Sequence, residues 1–288
     1  MRVLFSQEIR RTFFIALRKM TSSVKWNMKG VLLDITGVLY ESGQKIAIPG
    51  SVEAIQRLYS LKVPFRFVTN ETQRTRASLV SKLRSFGFTL SESDVFSPGV
   101  AASHYVKQMQ LRPFLLVHPN ILPEFSDCNQ SNPNCVVVGD AAEHFSFENM
   151  NKAFNILIKS KNPVLISMGK GRYYKENDEL VMDLGGFTAA LEYATGAEAK
   201  IIGKPSPEFF TDALKDMGVN PKEAVMVGDD IMSDVRAAQE CGLKGVLVKT
   251  GKFRRHSATQ LLTQEEDQFP LWHCSTLFFD VLDFVNSV

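Results

Sequence analysis

Short apolar segments alternate with helical patterns along most of this chain, and this alternation limits the possible folds more than any other feature. Apolar runs at 31–35 and 63–68 are separated by a helix predicted to start after Gly50, with Ser51 as its N-cap. Runs of this length are typical of strands buried on both faces, and their alternation with helices is typical of parallel sheets. We therefore predict the α/β class, with a doubly wound, Rossmann-like parallel sheet.

The alternation starts again in the middle of the chain, which indicates an inserted unit. A polar segment at 129–133 is followed by strands predicted at 135–138 and 164–167, with helical patterns after each. The first pattern resumes with a helix predicted at 207–217. The chain is therefore expected to form one α/β domain interrupted by a smaller one.

These patterns define the predicted domain boundaries. Residues 30–130 and 201–288 form the core, which includes a strand predicted at 114–117, and residues 131–200 form the inserted unit. Residues 1–29 are expected to be a poorly ordered extension or the product of a mispredicted translation start. Their interleaved arginine and apolar side chains leave a mitochondrial targeting segment as an alternative.

Charge and hydrophobicity argue against several classes of protein. Lys and Arg number 33 against 31 Asp and Glu, and the formal charge of +2 is too balanced for a nucleic-acid-binding protein. No apolar run reaches the ~18 residues that a membrane-spanning helix requires, so no membrane partner is expected. Four cysteines without CxxC spacing indicate reduced thiols and an intracellular protein.

Polar side chains follow the predicted core strands at the points where these strands end. A single Asp in such a position is usually a turn or cap residue. Because the carboxyl ends of parallel strands open onto a common crevice, however, several such clusters together predict a ligand site. The residues in question, with a lysine that precedes the helix at 207, are Asp34, Thr69, Asn70, Lys204, Asp229 and Asp230.

The four segments that carry these residues resemble, in order, the four motifs of the haloacid dehalogenase superfamily. They are DITGVLY at 34–40, VTN at 68–70, GKPSPEFF at 203–210 and VGDDIMSD at 227–234. Longer stretches such as FSFENMNKAF and PVLISMGKGRYYKE closely resemble one phosphatase of this superfamily. The resemblance implies a haloacid dehalogenase core, a C2-type cap at 131–200, a homodimer, and a cytoplasmic location with the nucleus as a second one.

The resemblance also implies the catalytic and metal-binding roles. Asp34 would be the nucleophile, which attacks phosphorus and forms an aspartyl-phosphate. Mg²⁺ would neutralise the repulsion between this carboxylate and the phosphate, bound by the carboxylates of Asp34 and Asp229 and the main-chain carbonyl of Thr36. Lys204 would be the second catalytic residue, because it places a cation beside the transferring phosphoryl group.

Substrate binding is assigned to hydrogen-bond donors around the nucleophile. The predicted substrate-binding residues are Asp34, Ile35, Thr36, Thr69, Asn70 and Lys204. Ile35 would contribute its backbone, and Gly37 would permit close approach of the backbone to phosphate. Asp230 and Asp234 have two open interpretations: water-mediated or outer contacts to the metal, or capping of the helix expected near 233.

Thr36 departs from the superfamily pattern, and this departure predicts the substrate class. Most phosphatases of the superfamily have a second Asp two residues after the nucleophile, which serves as general acid and base. Threonine cannot donate a proton near neutral pH as a carboxylic acid does, and general acid–base catalysis is typically worth ~10²–10⁴-fold. Phospholysine, phosphohistidine and imidodiphosphate can be protonated from solvent, and pyrophosphate expels a stabilised anion. We therefore predict hydrolysis of these P–N compounds, free or in proteins, and of pyrophosphate.

Two alternatives remain. The first is a phosphatase of the same fold for phosphate monoesters such as sugar phosphates, which Thr36 disfavours. The second is a catalytically weak, phosphate-binding regulatory protein. The missing general acid and a C-terminal segment that stops resembling the family after about residue 254 favour this second alternative, whereas the intact nucleophile and metal positions argue against it.

Two features outside the motifs have open roles. The segment 169–174 combines glycines with basic and aromatic residues, and it is either a cap loop that reaches the site or a solvated turn. His104, His118 and His144 are scattered along the chain. They are expected to be structural or surface residues and not metal ligands.

Overall fold

The computed structural model of the protein describes residues 28–176, 179–251 and 272–274. Its strands are β1 (Gly30–Leu33), β2 (Phe65–Val68), β3 (Val95–Phe96), β4 (Pro113–Leu116), β5 (Cys135–Val138), β6 (Leu165–Ser167), β7 (Tyr173–Glu176), β8 (Glu179–Met182), β9 (Ala199–Ile201), β10 (Ala224–Gly228), β11 (Lys244–Val248) and β12 (Trp272–Cys274). Its α-helices are α1 (Ser51–Ser60), α2 (Arg76–Ser85), α3 (Pro98–Gln108), α4 (Phe147–Ile158), α5 (Leu184–Thr195), α6 (Pro207–Met217) and α7 (Ala237–Glu240). A π-helical segment precedes α7 at Ile231–Arg236, and short 3₁₀ segments lie at Glu92–Asp94, Pro119–Phe125, Ala142–His144 and Pro221–Glu223.

Six strands form a parallel core sheet in the order β12-β11-β10-β1-β2-β3. The chain winds outward from β1 through β2 to β3 on one side, and outward from β10 through β11 to β12 on the other. The direction of winding therefore reverses between β1 and β10, and a crevice opens at such a reversal outside the carboxyl ends of the strands. The doubly wound parallel sheet predicted from the sequence is confirmed.

Both faces of the core sheet are covered by helices. Along β1, Val31 and Leu33 pack with residues of α1 and α2, whereas Leu32 packs with residues of α6 and α7. Successive side chains of a strand point to opposite faces, so a strand that is apolar throughout needs a helical layer on each side. This packing is what holds the ends of β1 and β10 in place.

The inserted unit has its own parallel sheet, in the order β4-β5-β6-β9, and this sheet corrects one prediction. β4 pairs with β5, with Phe114 opposite Val136. The strand expected at 114–117 therefore belongs to the inserted unit and not to the core, and the predicted boundary at 131 falls between two hydrogen-bonded strands. Ala102 and Val106 of α3 also pack on this second sheet. The antiparallel hairpin of β7 and β8, between β6 and α5, was not predicted.

The start of α1 also differs from the prediction. Its N-cap is Gly50, in a left-handed conformation with φ 86°, and Ser51 is the first helical residue. The buried Ser51 hydroxyl donates instead to the carbonyls of Ile48 and Leu39. Ser51 thus fastens the helix to the segment that follows β1, which local sequence rules do not reveal.

Described residues near both ends of the chain extend the core. Met28 is buried in the core cluster and the Lys29 backbone N–H donates to the Glu223 carbonyl, so these two residues do not belong to a separate extension. β12 is the outer strand beside β11, with Trp272 opposite Val246. The rest of the predicted N-terminal extension, and most of the segment after 254, lie outside the described residues.

Within the described residues, no helix combines the length and the apolar character needed to cross a membrane. Cys128, Cys135 and Cys241 are free thiols. Burial raises the pKa of the Cys135 thiol to about 12, so this side chain stays protonated and unreactive in the second sheet.

Two phenylalanines provide a matched test of the core packing. Phe210 on α6 is fully buried, whereas Phe147 at the start of α4 is 86% exposed. We expect Phe210→Ala to lower the free energy of unfolding by ~3–5 kcal/mol, because it leaves a cavity between α6 and the core sheet. Phe147→Ala should change it by less than ~0.5 kcal/mol. Chemical denaturation of both variants measures the difference, and equal losses would contradict this packing.

Candidate active site

The carboxyl ends of the core strands converge on one cavity of about 510 Å³. The cavity is lined by every predicted site residue except one, namely by Asp34, Thr36, Thr69, Asn70, Lys204 and Asp229. The exception is Ile35, whose side chain is fully buried in the core cluster. Only the backbone of Ile35 is therefore left for the predicted contact with substrate.

Lys204 is a buried cation between two carboxylates. Its Nζ lies 2.7 Å from Asp34 Oδ1 and 2.7 Å from Asp234 Oδ1, and the residue is only 2% exposed. Burial by itself would lower the pKa of this ammonium, but attraction to Asp234 and Asp34 outweighs burial and raises it to about 12. Lys204 therefore remains charged beside the predicted nucleophile.

Asn70 holds the backbone of Lys204 in place. Its Nδ2 donates to the Lys204 carbonyl at 2.7 Å, and its Oδ1 accepts from the Lys204 N–H at 2.8 Å. Gly203 permits this approach, because a Cβ there would lie 2.9 Å from Asn70 Oδ1. One hydrogen of the Asn70 amide is left for a substrate oxygen, so its predicted contact with phosphate is compatible with this positioning role.

Thr69 keeps a hydrogen-bond donor for the substrate. The residue is 2% exposed, and its Oγ1 accepts from the Glu71 backbone N–H at 3.0 Å. The hydroxyl hydrogen is not needed for this bond, so it can be donated to a phosphate oxygen. The predicted role of Thr69 therefore fits its geometry.

Three carboxylates form a cluster that can hold a metal ion. Ligand oxygens of Asp34, Asp229 and Asp234 lie within 4.8 Å of one another, and all three residues are buried. Burial and the neighbouring carboxylates of Asp34 and Asp230 raise the pKa of Asp234 to about 7, in spite of the Lys204 ammonium. A hard divalent cation prefers an all-oxygen site of this kind and would offset the repulsion between the carboxylates.

The two acidic residues with open interpretations separate in the structure. Asp230 caps the π-helical segment, because its Oδ1 accepts from the N–H groups of Met232 and Ser233 at 3.0 Å. Asp234 belongs to the cluster of three carboxylates, and its Oδ2 accepts from the Asp230 N–H. Asp234 is the site residue that the sequence analysis did not assign. Its spacing from Asp229 was the available signal, and it lies within the π-helical segment Ile231–Arg236, a winding that is frequent at functional sites.

Two glycines leave room for Asp229. Gly37 has φ +91°, and a Cβ there would lie 2.2 Å from Asp229 Oδ2. Gly251 has φ +59°, and its Cβ would lie 2.0 Å from the same oxygen. The Thr250 hydroxyl donates to the Gly37 carbonyl and joins the two segments. Close backbone approach at Gly37 was predicted for the phosphate, and the structure uses it for a metal-ligand candidate.

Thr36 contacts a tyrosine at the position where a second carboxylate was missing. Its hydroxyl donates to the Tyr40 hydroxyl at 3.3 Å. Tyr40 is 2% exposed, and burial, then the Glu71 carboxylate, raise its pKa to about 12. Tyr40 is therefore a neutral hydrogen-bonding group, so the Thr36–Tyr40 pair carries no readily ionised acid.

The inserted unit closes one side of the cavity. Gln73 Nε2 donates to Asp140 Oδ2 at 2.7 Å, and the Asp140 N–H donates to Thr72 Oγ1 at 2.8 Å, which ties the carboxyl end of β5 to the core. The segment 169–174 reaches the cavity through Gly171 and Tyr174. Its cationic residues, at 170 and 172, are exposed and are not among the lining residues.

Several lining residues carry chemistry that the sequence analysis did not assign to the site. Glu71 directly follows the Thr69-Asn70 pair, and this position at a strand end was the signal available. Others come from the loop after β1, the loop after β2, α2 and the inserted unit: Tyr40, Arg74, Lys82, Asp140 and Asp183. Among the described residues, His104, His118 and His144 are not part of the candidate metal-binding group, which consists of three carboxylates.

Two family models match this chain. The model described as haloacid dehalogenase-like hydrolase matches residues 31–131. A second model, described as HAD-hydrolase-like, matches residues 201–269. Together they cover the strands β2, β3, β10 and β11 of the core sheet, most of β1, and the three carboxylates of the cluster.

Named relatives and a solved structure are similar to the chain over most of its length. Phospholysine phosphohistidine inorganic pyrophosphate phosphatase from Xenopus laevis is 53% identical over 230 residues, which cover 79% of this chain and 85% of that protein. The Bos taurus protein of the same name is 55% identical over 229 residues, with the same coverage. The p-nitrophenyl phosphatase from Archaeoglobus fulgidus has a TM-score of 0.78 at 26% identity, covering 91% of this chain and 99% of that one.

Gly37 provides a test of the space around Asp229. We expect Gly37→Ala to weaken Mg²⁺ binding by ~10–100-fold, as changes beside metal ligands typically do, because the added Cβ displaces the Asp229 carboxylate. Gly196→Ala is the matched control, since Gly196 also has positive φ (+70°) but its Cβ would meet nothing within 4 Å. Titration calorimetry measures both. Equal losses of affinity would show that backbone strain, and not the approach to Asp229, is responsible.

Proposed function

Since this chain belongs to the haloacid dehalogenase-like hydrolases, we propose that it is a magnesium-dependent phosphatase for P–N bonds and pyrophosphate. Its substrates would be phospholysine, phosphohistidine, imidodiphosphate and pyrophosphate. The observation that carries the proposal is the Asp34 carboxylate, 2.7 Å from the buried Lys204 ammonium and within 4.8 Å of two further carboxylates. The family predicted from the four motifs is confirmed by relatives that share more than half of their aligned residues with this chain.

Asp34 is positioned for nucleophilic attack on phosphorus. Its carboxylate oxygen would form the new O–P bond while the P–N or P–O bond to the leaving group breaks. Water would then attack the aspartyl-phosphate, release inorganic phosphate and regenerate the carboxylate. Lys204 offsets negative charge beside Asp34 in both steps, and Thr69 and Asn70 have hydrogens left to donate to the phosphoryl oxygens.

The carboxylate cluster fits a magnesium ion. Asp34, Asp229 and Asp234 would hold it, with the main-chain carbonyl of Thr36 as a further predicted ligand. When bound, Mg²⁺ offsets the repulsion between a carboxylate nucleophile and phosphate oxygens. Asp234 enlarges the ligand set predicted from the sequence, and its contact with Lys204 links the metal site to the phosphoryl site.

The leaving group decides which phosphates are hydrolysed well. Thr36 donates to Tyr40 and offers no carboxylic acid, so a substrate whose leaving group can be protonated from solvent has the advantage. The nitrogen of phospholysine or phosphohistidine meets this condition, and pyrophosphate releases a stabilised anion. The names of the Xenopus laevis and Bos taurus relatives, which mention these substrates, support the same conclusion.

Glu71 favours a second candidate function, hydrolysis of phosphate monoesters. It lines the cavity, and burial raises the pKa of its carboxyl, which favours the protonated form that a general acid needs. The Archaeoglobus fulgidus protein of similar fold is named as a p-nitrophenyl phosphatase. One contact argues against this candidate: Glu71 Oε1 accepts from the Gln73 backbone N–H at 2.8 Å, which favours the ionised form of the carboxyl.

A substrate panel with a nucleophile variant tests the proposed function. We expect Mg²⁺-dependent phosphate release from imidodiphosphate and pyrophosphate, abolished by EDTA and lowered ~10⁴-fold or more by Asp34→Asn, because loss of a nucleophile leaves only binding and electrostatic effects. Asp216→Asn is the control, since Asp216 pairs with Arg66 away from the cavity. Faster turnover of a sugar phosphate would support the monoester candidate, and phosphate binding without turnover would support a regulatory protein.

Thr36 offers a gain-of-function test of the leaving-group argument. We expect Thr36→Asp to raise hydrolysis of a sugar phosphate by ~10²-fold, because the new carboxyl can protonate an alcohol leaving group. Hydrolysis of phosphohistidine should change much less. Thr36→Ser, which keeps a hydroxyl, is the control. An unchanged rate for the sugar phosphate in a folded Thr36→Asp protein would show that a missing acid does not limit the enzyme.

A further inference from the structure

The cavity contains a second group of cationic side chains besides Lys204. Arg74 precedes α2, Lys82 lies on α2, and both line the same cavity as Asp34. The cavity, at about 510 Å³, extends well beyond the residues that would hold one phosphoryl group. Both cations belong to the segment after β2, and Tyr40, from the loop after β1, contacts Lys82.

Lys82 lies close to the reaction centre through a short chain of contacts. Its Nζ is 4.1 Å from the centroid of the Tyr40 ring and 5.9 Å from that of Phe86. The Tyr40 hydroxyl in turn is 3.3 Å from Thr36 Oγ1, and Thr36 is two residues from the nucleophile Asp34. One aromatic side chain therefore separates the Lys82 ammonium from the residues that hold the phosphoryl group.

Arg74 and Lys82 carry like charges that repel each other. Burial, and after it the Arg74 charge, lower the pKa of Lys82. Among the described residues, neither cation forms an ion pair with a carboxylate, although the Glu71 charge attracts both. Cations that are partly removed from water without a close counter-ion carry a desolvation cost, which an anionic ligand would offset.

We propose that Arg74 and Lys82 form a subsite for the departing anion of a diphosphate, beside the phosphoryl site at Asp34. This anion is phosphate from pyrophosphate and phosphoramidate from imidodiphosphate. This inference rests on the proposed function. Asp34 forms its bond to one phosphorus, the bond from that phosphorus to the bridging atom breaks, and the electron pair stays on the departing group, which takes a proton from water. Negative charge grows on this group in the transition state, where preformed cations act most strongly.

The subsite would distinguish two classes of substrate. The departing groups of phospholysine and phosphohistidine are an amine and an imidazole, which are neutral or cationic once protonated and gain nothing from Arg74 and Lys82. Pyrophosphate and imidodiphosphate share an anionic departing group. The two cations therefore determine the preference of the enzyme for diphosphates, whereas Asp34, Lys204 and the carboxylate cluster act on all four substrates.

Charge removal at the two positions tests the proposal. We expect Arg74→Gln and Lys82→Gln each to lower kcat/KM for pyrophosphate and imidodiphosphate about tenfold, and to leave that for phosphohistidine within about threefold, as expected for one charged hydrogen bond. Arg74→Lys should retain most of the activity. Arg57→Gln and Lys107→Gln, which remove exposed charges outside the cavity, should leave all three substrates unchanged.

The pattern across substrates distinguishes the outcomes. Equal losses for all three substrates would overturn the proposal, because they would mean that the cations only support Tyr40, Glu71 or the fold. Unchanged diphosphate hydrolysis would overturn it as well. Circular dichroism of each variant identifies losses that come from misfolding, and Lys82→Gln, which also removes one charge, then serves in place of a misfolded Arg74→Gln.

A binding experiment keeps this inference separate from the proposed function. With Mg²⁺ present, methylenediphosphonate should bind to the wild-type protein about tenfold more tightly than inorganic phosphate, and Arg74→Gln should remove this difference. If the wild type hydrolyses none of the substrates yet shows the difference, the proposed function fails and the diphosphate subsite stands. If the two ligands bind equally, the subsite is rejected whatever the activity.

Discussion

A buried ammonium between two carboxylates organises the rest of this structure. Lys204 contacts Asp34 and Asp234 at 2.7 Å each, and removal of one partner from such a buried pair typically costs ~3–5 kcal/mol, because the remaining charge is left desolvated. The end of β1, the loop before α6 and the π-helical segment after β10 must therefore be in contact in the folded protein. Asn70, at the end of β2, holds the backbone of Lys204 and adds a fourth segment.

The doubly wound sheet is what makes this meeting possible. Its winding reverses between β1 and β10, so Asp34 and Asp229 emerge side by side at the crevice, and the helices on both faces keep the two strands in register. Three carboxylates against one ammonium leave the cluster with excess negative charge. That imbalance suits a divalent cation, whereas Arg74 and Lys82 contribute positive charge to the wall of the same cavity.

Local patterns indicated the site residues at the strand ends but misplaced the domain boundary, because they show where a strand lies and not which strand it pairs with. Asp34 and Asp229 could be identified because each ends an apolar strand within a family motif. The strand at 114–117 was assigned to the wrong sheet, because an apolar strand has the same pattern whichever sheet it joins. Only its hydrogen bonds to β5 reveal its partner. The Ser51 prediction failed similarly, since carbonyls of Leu39 and Ile48 compete for its hydroxyl.

The sequence by itself determined the alternation of strands and helices, the family, and the residues proposed as the nucleophile and its neighbouring cation. These depend on side-chain type and on spacing along the chain. The tertiary structure alone decided that Asp230 caps a segment while Asp234 faces Lys204, and that Tyr40, Glu71, Arg74 and Lys82 share the cavity with Asp34. These outcomes depend on how separate segments wind and pack. A local sequence pattern does not reveal the interaction energies between residues that are distant in sequence.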